Sequence, residues 1–171
     1  MMTTDAFPKM SSRTLNLGGA EINILGLAKG AGMIHPDMAT MLAFVMTDAS
    51  LADGLLEGLL EKSVNASFNR ITVDRDTSTN DMALLLASGV AGNEVIVEGS
   101  EELERFNGAL DEIMLDLAKM IVRDGEGATK LVRIQVEGAV DELEVARAAP
   151  IQVVHCAEKL RQWKRFGGFV Q

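Results

Sequence analysis

Cysteine occurs once, at Cys156, which excludes an intrachain disulfide and a cysteine-built zinc site and suits a reducing compartment. Long apolar runs are also missing. No stretch approaches the roughly 20 residues needed to span a bilayer, and no basic segment leads into an apolar one at the N-terminus, so the chain reads as cytoplasmic with no membrane partner. Positive charge is scarce: 16 Lys and Arg stand against 25 Asp and Glu, a net charge of −9. That balance repels a phosphate backbone, and no basic stripe interleaved with aromatics appears, which argues against nucleic acid as a partner. His155 has no metal-ligating companion, so no metal or other cofactor is expected.

What is present suits one globular domain: 171 residues with 47% hydrophobic content are enough to bury a core. The ten methionines fill gaps in it. Met1 to Lys9 starts abruptly with strand-like and turn-like residues. Ala20 to Leu27 alternates as a strand, which Gly30, Gly32 and Pro36 interrupt. Met41 to Met46 ("MLAFVM") is short and apolar on both faces, which predicts a strand covered on both sides. Apolar spacing predicts a helix from Leu51 to Phe68 capped by Ser50, and a short strand at Ile71 to Val73. An apolar run up to Gly89 is ambiguous in type, and "EVIVEG" reads as a strand.

Leu103, Phe106, Leu110, Ile113, Leu117 and Ile121 recur at helical intervals, and Gly125 stands ready to end that helix. Val132, Ile134 and Val136 then alternate with polar residues as a half-buried strand, and a further helix is expected from Asp141. Helices and strands without a regular βαβ rhythm predict a layered α+β arrangement.

One residue invites a chemical question. Thr40 stands at the entrance of the apolar strand, after the small Ala39. A threonine becomes a strong nucleophile when its own α-amine is free, because that amine is a base already beside the hydroxyl. The amine is freed if the hydroxyl attacks the preceding carbonyl and water cleaves the resulting ester. On the residues alone the plainer reading leads, since a threonine entering a strand is most often just a β-branched residue in its preferred conformation.

"MTTDAFPK", "LAKGAGMIHPDMATMLAFVMTDA", "FNRITVDRDTSTNDMALLLASG" and "DGEGATK" together resemble successive blocks of the ornithine acetyltransferase family, also called glutamate N-acetyltransferase. The blocks run over about residues 2 to 140 in the family's order and spacing. The resemblance implies self-cleavage at Ala39-Thr40, with Thr40 as nucleophile and its freed amine as general base. It implies a ping-pong reaction in arginine biosynthesis, in which acetyl passes from N-acetylornithine to Thr40 and then to glutamate.

By the same resemblance, Lys29 holds substrate, apt for a carboxylate, and Glu126 pairs with the substrate's amino group. Thr3 or Thr4 supplies a further contact, although the pattern's Asp-Thr is Asp5-Ala6 here. The run from Asp76 to Asp81 belongs to the family too; its small polar residues read as a hydrogen-bonded turn. His35 is assigned a surface or packing role. The implied architecture is the family's layered α/β sandwich, with two helical layers enclosing sheet, incomplete in this chain. The implied assembly is two α and two β chains.

The family pattern also has a segment before "MTTD" that carries the Thr-Gly pair of an oxyanion hole, and this chain starts after it. Residues 1–149 are therefore read as a central part of the domain, and 150–171 as a divergent tail, abruptly basic at Lys159, Arg161, Lys164 and Arg165. Three functions follow as alternatives: the acetyltransferase, an N-terminal-threonine amidohydrolase or aminopeptidase, and a fragment that folds without catalysis, pairing strand edges with a second copy.

Overall fold

The computed structural model describes residues 1–32, 41–73, 81–125 and 128–131, and the backbone of 151–152. A two-glycine turn organises its first half. Gly18 and Gly19 have φ of 54° and 81°, the left-handed pair of a tight hairpin, and they join β1 (Lys9–Leu17) to β2 (Ala20–Lys29). Glycine is required at 18 for a second reason, since a Cβ there would sit 2.9 Å from the Glu94 backbone nitrogen.

After β2 come β3 (Leu42–Thr47), α1 (Leu55–Ala66), a single 3-10 turn at Phe68–Arg70, β4 (Ile71–Thr72), β5 (Met82–Ala87) and α2 (Glu101–Arg123); β6 (Ile151–Gln152) pairs in parallel with β4. The main sheet has the order β1-β2-β3-β5. Its first three strands are antiparallel, with Lys9 opposite Ala28 and Lys29 opposite Leu42. β5 lies parallel to β3, with Leu42 opposite Met82. A mixed sheet with helices packed on it is an α/β fold, as expected.

Alternation along each strand divides the sheet into two faces. Ile22, Ile24, Ala28, Ala43, Val45 and Leu85 are buried on the face that α2 covers. α2 presents Phe106, Leu110, Ile113, Leu117 and Ile121, all fully buried. It comes so close to β2 that a Cβ on Gly26 would lie 2.5 Å from Ile113 Cγ2. Ser100 caps α2, accepting from the Leu103 N–H at 3.1 Å, with Glu101, Glu102 and Glu104 in the first turn where the helix dipole favours them. α1 packs beside α2 and against β5. On the opposite face Met10, Met82, Leu84 and Leu86 are exposed, and Leu25, Leu27, Leu42, Phe44 and Met46 are half-buried.

Several expectations are corrected. β3 is the expected strand, and among the described residues helices cover one of its faces. The ambiguous run before Gly89 is β5, a strand. α1 starts at Leu55 behind Gly54, not at Leu51 behind Ser50, because Leu51 is held in a parallel bridge to Ile96 and the Ser50 backbone is bonded to Asn93 and Ile96. "EVIVEG" contributes only that bridge. α2 ends at Arg123 with Asp124 as its C-cap, next to Gly125 as expected, and Gly125 is needed for space as well: a Cβ there would meet Val73 Cγ1 at 2.8 Å. β1 was not foreseen. The expected strand at 132–136 and helix from Asp141 lie outside the described residues, as do His35 and His155. Among the described residues, no helix is long and apolar enough to cross a membrane.

Candidate active site

Five chain segments meet at one end of the sheet. β2 ends there at Lys29, β3 and the parallel β5 both begin there, β1 starts there at Lys9, and α2 ends there at Asp124. Lys29, Leu42 and Met82 stand in one row across three strands. Lys29 lies on the face away from the helices, because its neighbour Ala28 is buried under them.

A buried charge cluster ties these segments together. The Lys9 ammonium donates to Asp5 Oδ1 at 2.6 Å and to Asp124 Oδ2 at 2.5 Å, and all three side chains are almost wholly buried. Asp5 Oδ1 also accepts from the Gly30 N–H at 2.8 Å, and Asp5 Oδ2 from the Thr3 N–H at 3.1 Å. The Ala6 N–H donates to both oxygens of Asp124, at 3.2 and 3.0 Å, so the residue that replaces the pattern's threonine makes its contact through backbone alone. Burial by itself raises the Asp5 carboxyl, but the Lys9 ammonium and the N–H groups of Gly30 and Thr3 outweigh it and hold the group down to about 2.

One step beyond the Lys29 row lies Met41, the residue after Thr40. Its N–H donates to Asp81 Oδ1, and its carbonyl accepts from the Met82 N–H at 3.0 Å. Asp81 Oδ2 is buried and has no hydrogen-bond partner among the described residues. Burial pushes the Asp81 carboxyl up, against the Met41 N–H and the charge of Lys29, which pull it down. Lys29 is therefore within electrostatic reach of Asp81.

Of the residues singled out from the sequence, Lys29 lies at this end of the sheet but on its other face, and Thr3 reaches the charge cluster through its backbone while the side chains of Thr3 and Thr4 are exposed. Ala39, Thr40 and Glu126 lie outside the described residues, as do Asp76 to Asn80. Their described neighbours Met41 and Gly125 both belong to this end of the sheet. Sequence reasoning missed Lys9 and Asp124, named Asp5 only within the Asp5-Ala6 departure from the pattern, and read Asp81 only as part of a polar turn. The available signal for Asp81 was a carboxylate closing a polar turn directly before an apolar run. Among the described residues no group of His, Cys, Asp and Glu could hold a metal ion. An open depression lined by Ser50, Asp53, Glu57 and Ser88 lies at the opposite end of β3 and β5 and contains none of these residues.

The ArgJ family model matches residues 1–157. The chain belongs to the ArgJ family. It is 51% identical over 159 residues to the arginine biosynthesis bifunctional protein ArgJ of Geobacter sulfurreducens, covering 93% of this chain and 40% of that protein. The ArgJ of Listeria monocytogenes serotype 4b is 46% identical over 168 residues, 98% of this chain and 42% of its own length. The chain thus spans about two fifths of the curated ArgJ proteins it matches. The crystal structure of ArgJ from Bacillus halodurans superposes with a TM-score of 0.58 at 50% identity, over 60% of this chain and 48% of that one.

Proposed function

We propose that this chain carries the nucleophilic core of an acetyltransferase that moves the acetyl group of N2-acetyl-L-ornithine to L-glutamate in arginine biosynthesis. The observation that carries this reading is the extent of the family match: residues 1–157 include the Ala39-Thr40 bond and every candidate residue. The relatives' description as bifunctional arginine biosynthesis proteins supports the substrate class.

The mechanism starts with self-cleavage. Thr40 Oγ attacks the Ala39 carbonyl carbon, the C–N bond breaks as the nitrogen takes up a proton, and water hydrolyses the resulting ester. Ala39 is left with a carboxylate and Thr40 with a free amine. That amine then accepts the hydroxyl proton as Thr40 attacks the acetyl carbonyl of N-acetylornithine. Ornithine leaves with the proton, and the amino group of glutamate attacks the acetyl-Thr40 ester in the second half-reaction. The Lys29 ammonium receives the α-carboxylate common to both substrates. Glu126 takes the substrate's amino group, and Thr3 or Thr4 supplies a further substrate contact.

The test is acetyl transfer measured as N-acetylglutamate formed from N-acetylornithine and glutamate, by the wild type and by Thr40→Ala. The proposal expects product from the wild type and none from the variant. Acetate released with glutamate ignored would replace the transferase by the amidohydrolase reading.

A further inference from the structure

Met41 is the first described residue after the nucleophile position, and both of its backbone polar groups are held at the start of β5: the N–H by the carboxylate of Asp81, just before the strand, and the carbonyl by the N–H of Met82, its first residue. The first of these matters for chemistry. The Met41 N–H belongs to the peptide unit whose other half is the carbonyl of Thr40. Because that unit is planar, a hydrogen bond to the Met41 N–H restrains the peptide plane that leads back to Thr40.

We propose that Asp81 is a positioning residue for Thr40, its carboxylate holding the N–H of Met41 in the peptide bond that follows the nucleophile. This rests on the reading of Thr40 as the nucleophile.

Three observations support it. The contact joins residues 40 apart in sequence and exists because β5 runs parallel to β3 in the register Leu42 to Met82, which stacks the entrances of the two strands. Asp81 is not an exposed turn residue: Oδ2 is buried without a hydrogen-bond partner among the described residues. Such groups are rare in native structures, and each calls for an explanation. Finally, Lys29, the residue assigned to the substrate carboxylate, acts on Asp81 electrostatically, so the clamp and the binding cation share one end of the sheet.

A displaced nucleophile loses rate steeply, by about a hundredfold for a shift near 1 Å. The experiment follows cleavage of the full 171-residue chain at Ala39-Thr40 from its synthesis in a cell-free translation mixture, by intact mass. Wild type, Asp81→Ala, Asp81→Asn and Thr40→Ala are compared at a temperature where circular dichroism shows all four folded. Asp81→Ala is expected to slow cleavage about a hundredfold. Asp81→Asn keeps an oxygen that can accept the Met41 N–H and is expected to recover about tenfold or more of that loss, which a general loss of stability does not predict.

Asp81→Ala cleaving at the wild-type rate overturns the positioning role and leaves the Thr40 reading intact. Asp81→Asn as slow as Asp81→Ala overturns the hydrogen-bond account. A Thr40→Ala chain that still splits at this bond, or a wild type that never does, overturns the self-processing reading and the inference with it.

Discussion

Asp81 accepts a hydrogen bond from the backbone N–H of Met41, 40 residues earlier in the chain. It is a side-chain acceptor placed one step ahead of the ladder between β3 and β5, where Met82 takes over with its own N–H. Removing the carboxylate leaves a partly buried N–H without its acceptor, at a cost of about 1–3 kcal/mol. Asp81→Ala is therefore expected to speed hydrogen exchange at the Met41 amide by about tenfold or more, with Val45 deeper in the strand unchanged. Amide exchange followed by NMR distinguishes the two sites.

Lys9 is the only cation bonded to Asp5 and Asp124 among the described residues, and its side chain is fully buried. Lys9→Met keeps the length of the side chain and removes its charge. Two buried carboxylates are then left facing each other, and breaking a buried pair in this way costs about 3–5 kcal/mol. Urea unfolding monitored by circular dichroism should show a loss of that order. A loss below about 1 kcal/mol would place the cluster with ordinary surface pairs.

The same cluster predicts an acid limb. Asp5 is held at about 2 in the folded chain against an ordinary 3.8. The unfolded chain therefore takes up this proton first as the pH falls. The stabilisation is fully present above the unfolded value and is lost as pH drops through the interval from about 4 to about 2. Unfolding free energy measured between pH 5 and 2 should decline less steeply in Asp5→Asn than in the wild type, since that variant cannot titrate there.

Gly26 marks the closest approach of α2 to the sheet. A Cβ there would meet Ile113 Cγ2 at 2.5 Å and Leu117 Cδ1 at 2.8 Å, and both side chains are fully buried. Gly26→Ala is expected to destabilise by about 1–3 kcal/mol through overpacking, despite alanine's lower conformational entropy in the unfolded chain. Thermal melting of the pair tests it, and an alanine variant as stable as the wild type would mean that the helix shifts freely.

The elements legible in the sequence are those whose pattern is hydrophobic. α2 announces itself through Leu103 to Ile121 because one whole face is core, and β2 through alternation of Ile22 and Ile24 against Glu21 and Asn23. β1 was invisible because its inward positions are partly polar. Lys9 and Ser11 are buried, and Arg13 lies half-buried while bonding Glu112 and Asp116 of α2 at 2.8 and 2.9 Å. A strand whose inner face makes ion pairs with a helix carries no hydrophobic period.

The site divides similarly. Thr40, Ala39, Lys29 and Glu126 came from a family motif, Asp81 was legible only as the end of a polar turn, and local sequence shows no reason for Asp124 to matter. Those two acquire their roles only when parallel pairing sets β5 beside β3 and when α2 ends against Lys9. No short window of sequence contains either event.

The central claim is that Thr40 carries the acetyl group. The most direct measurement is the intact mass of the Thr40-initiated chain after brief exposure to N-acetylornithine without glutamate, followed by fragmentation to locate any added mass. The account predicts one acetyl group on Thr40, removed when glutamate is added. A Thr40-initiated chain whose mass never changes, or an acetyl group found on another residue, would contradict it.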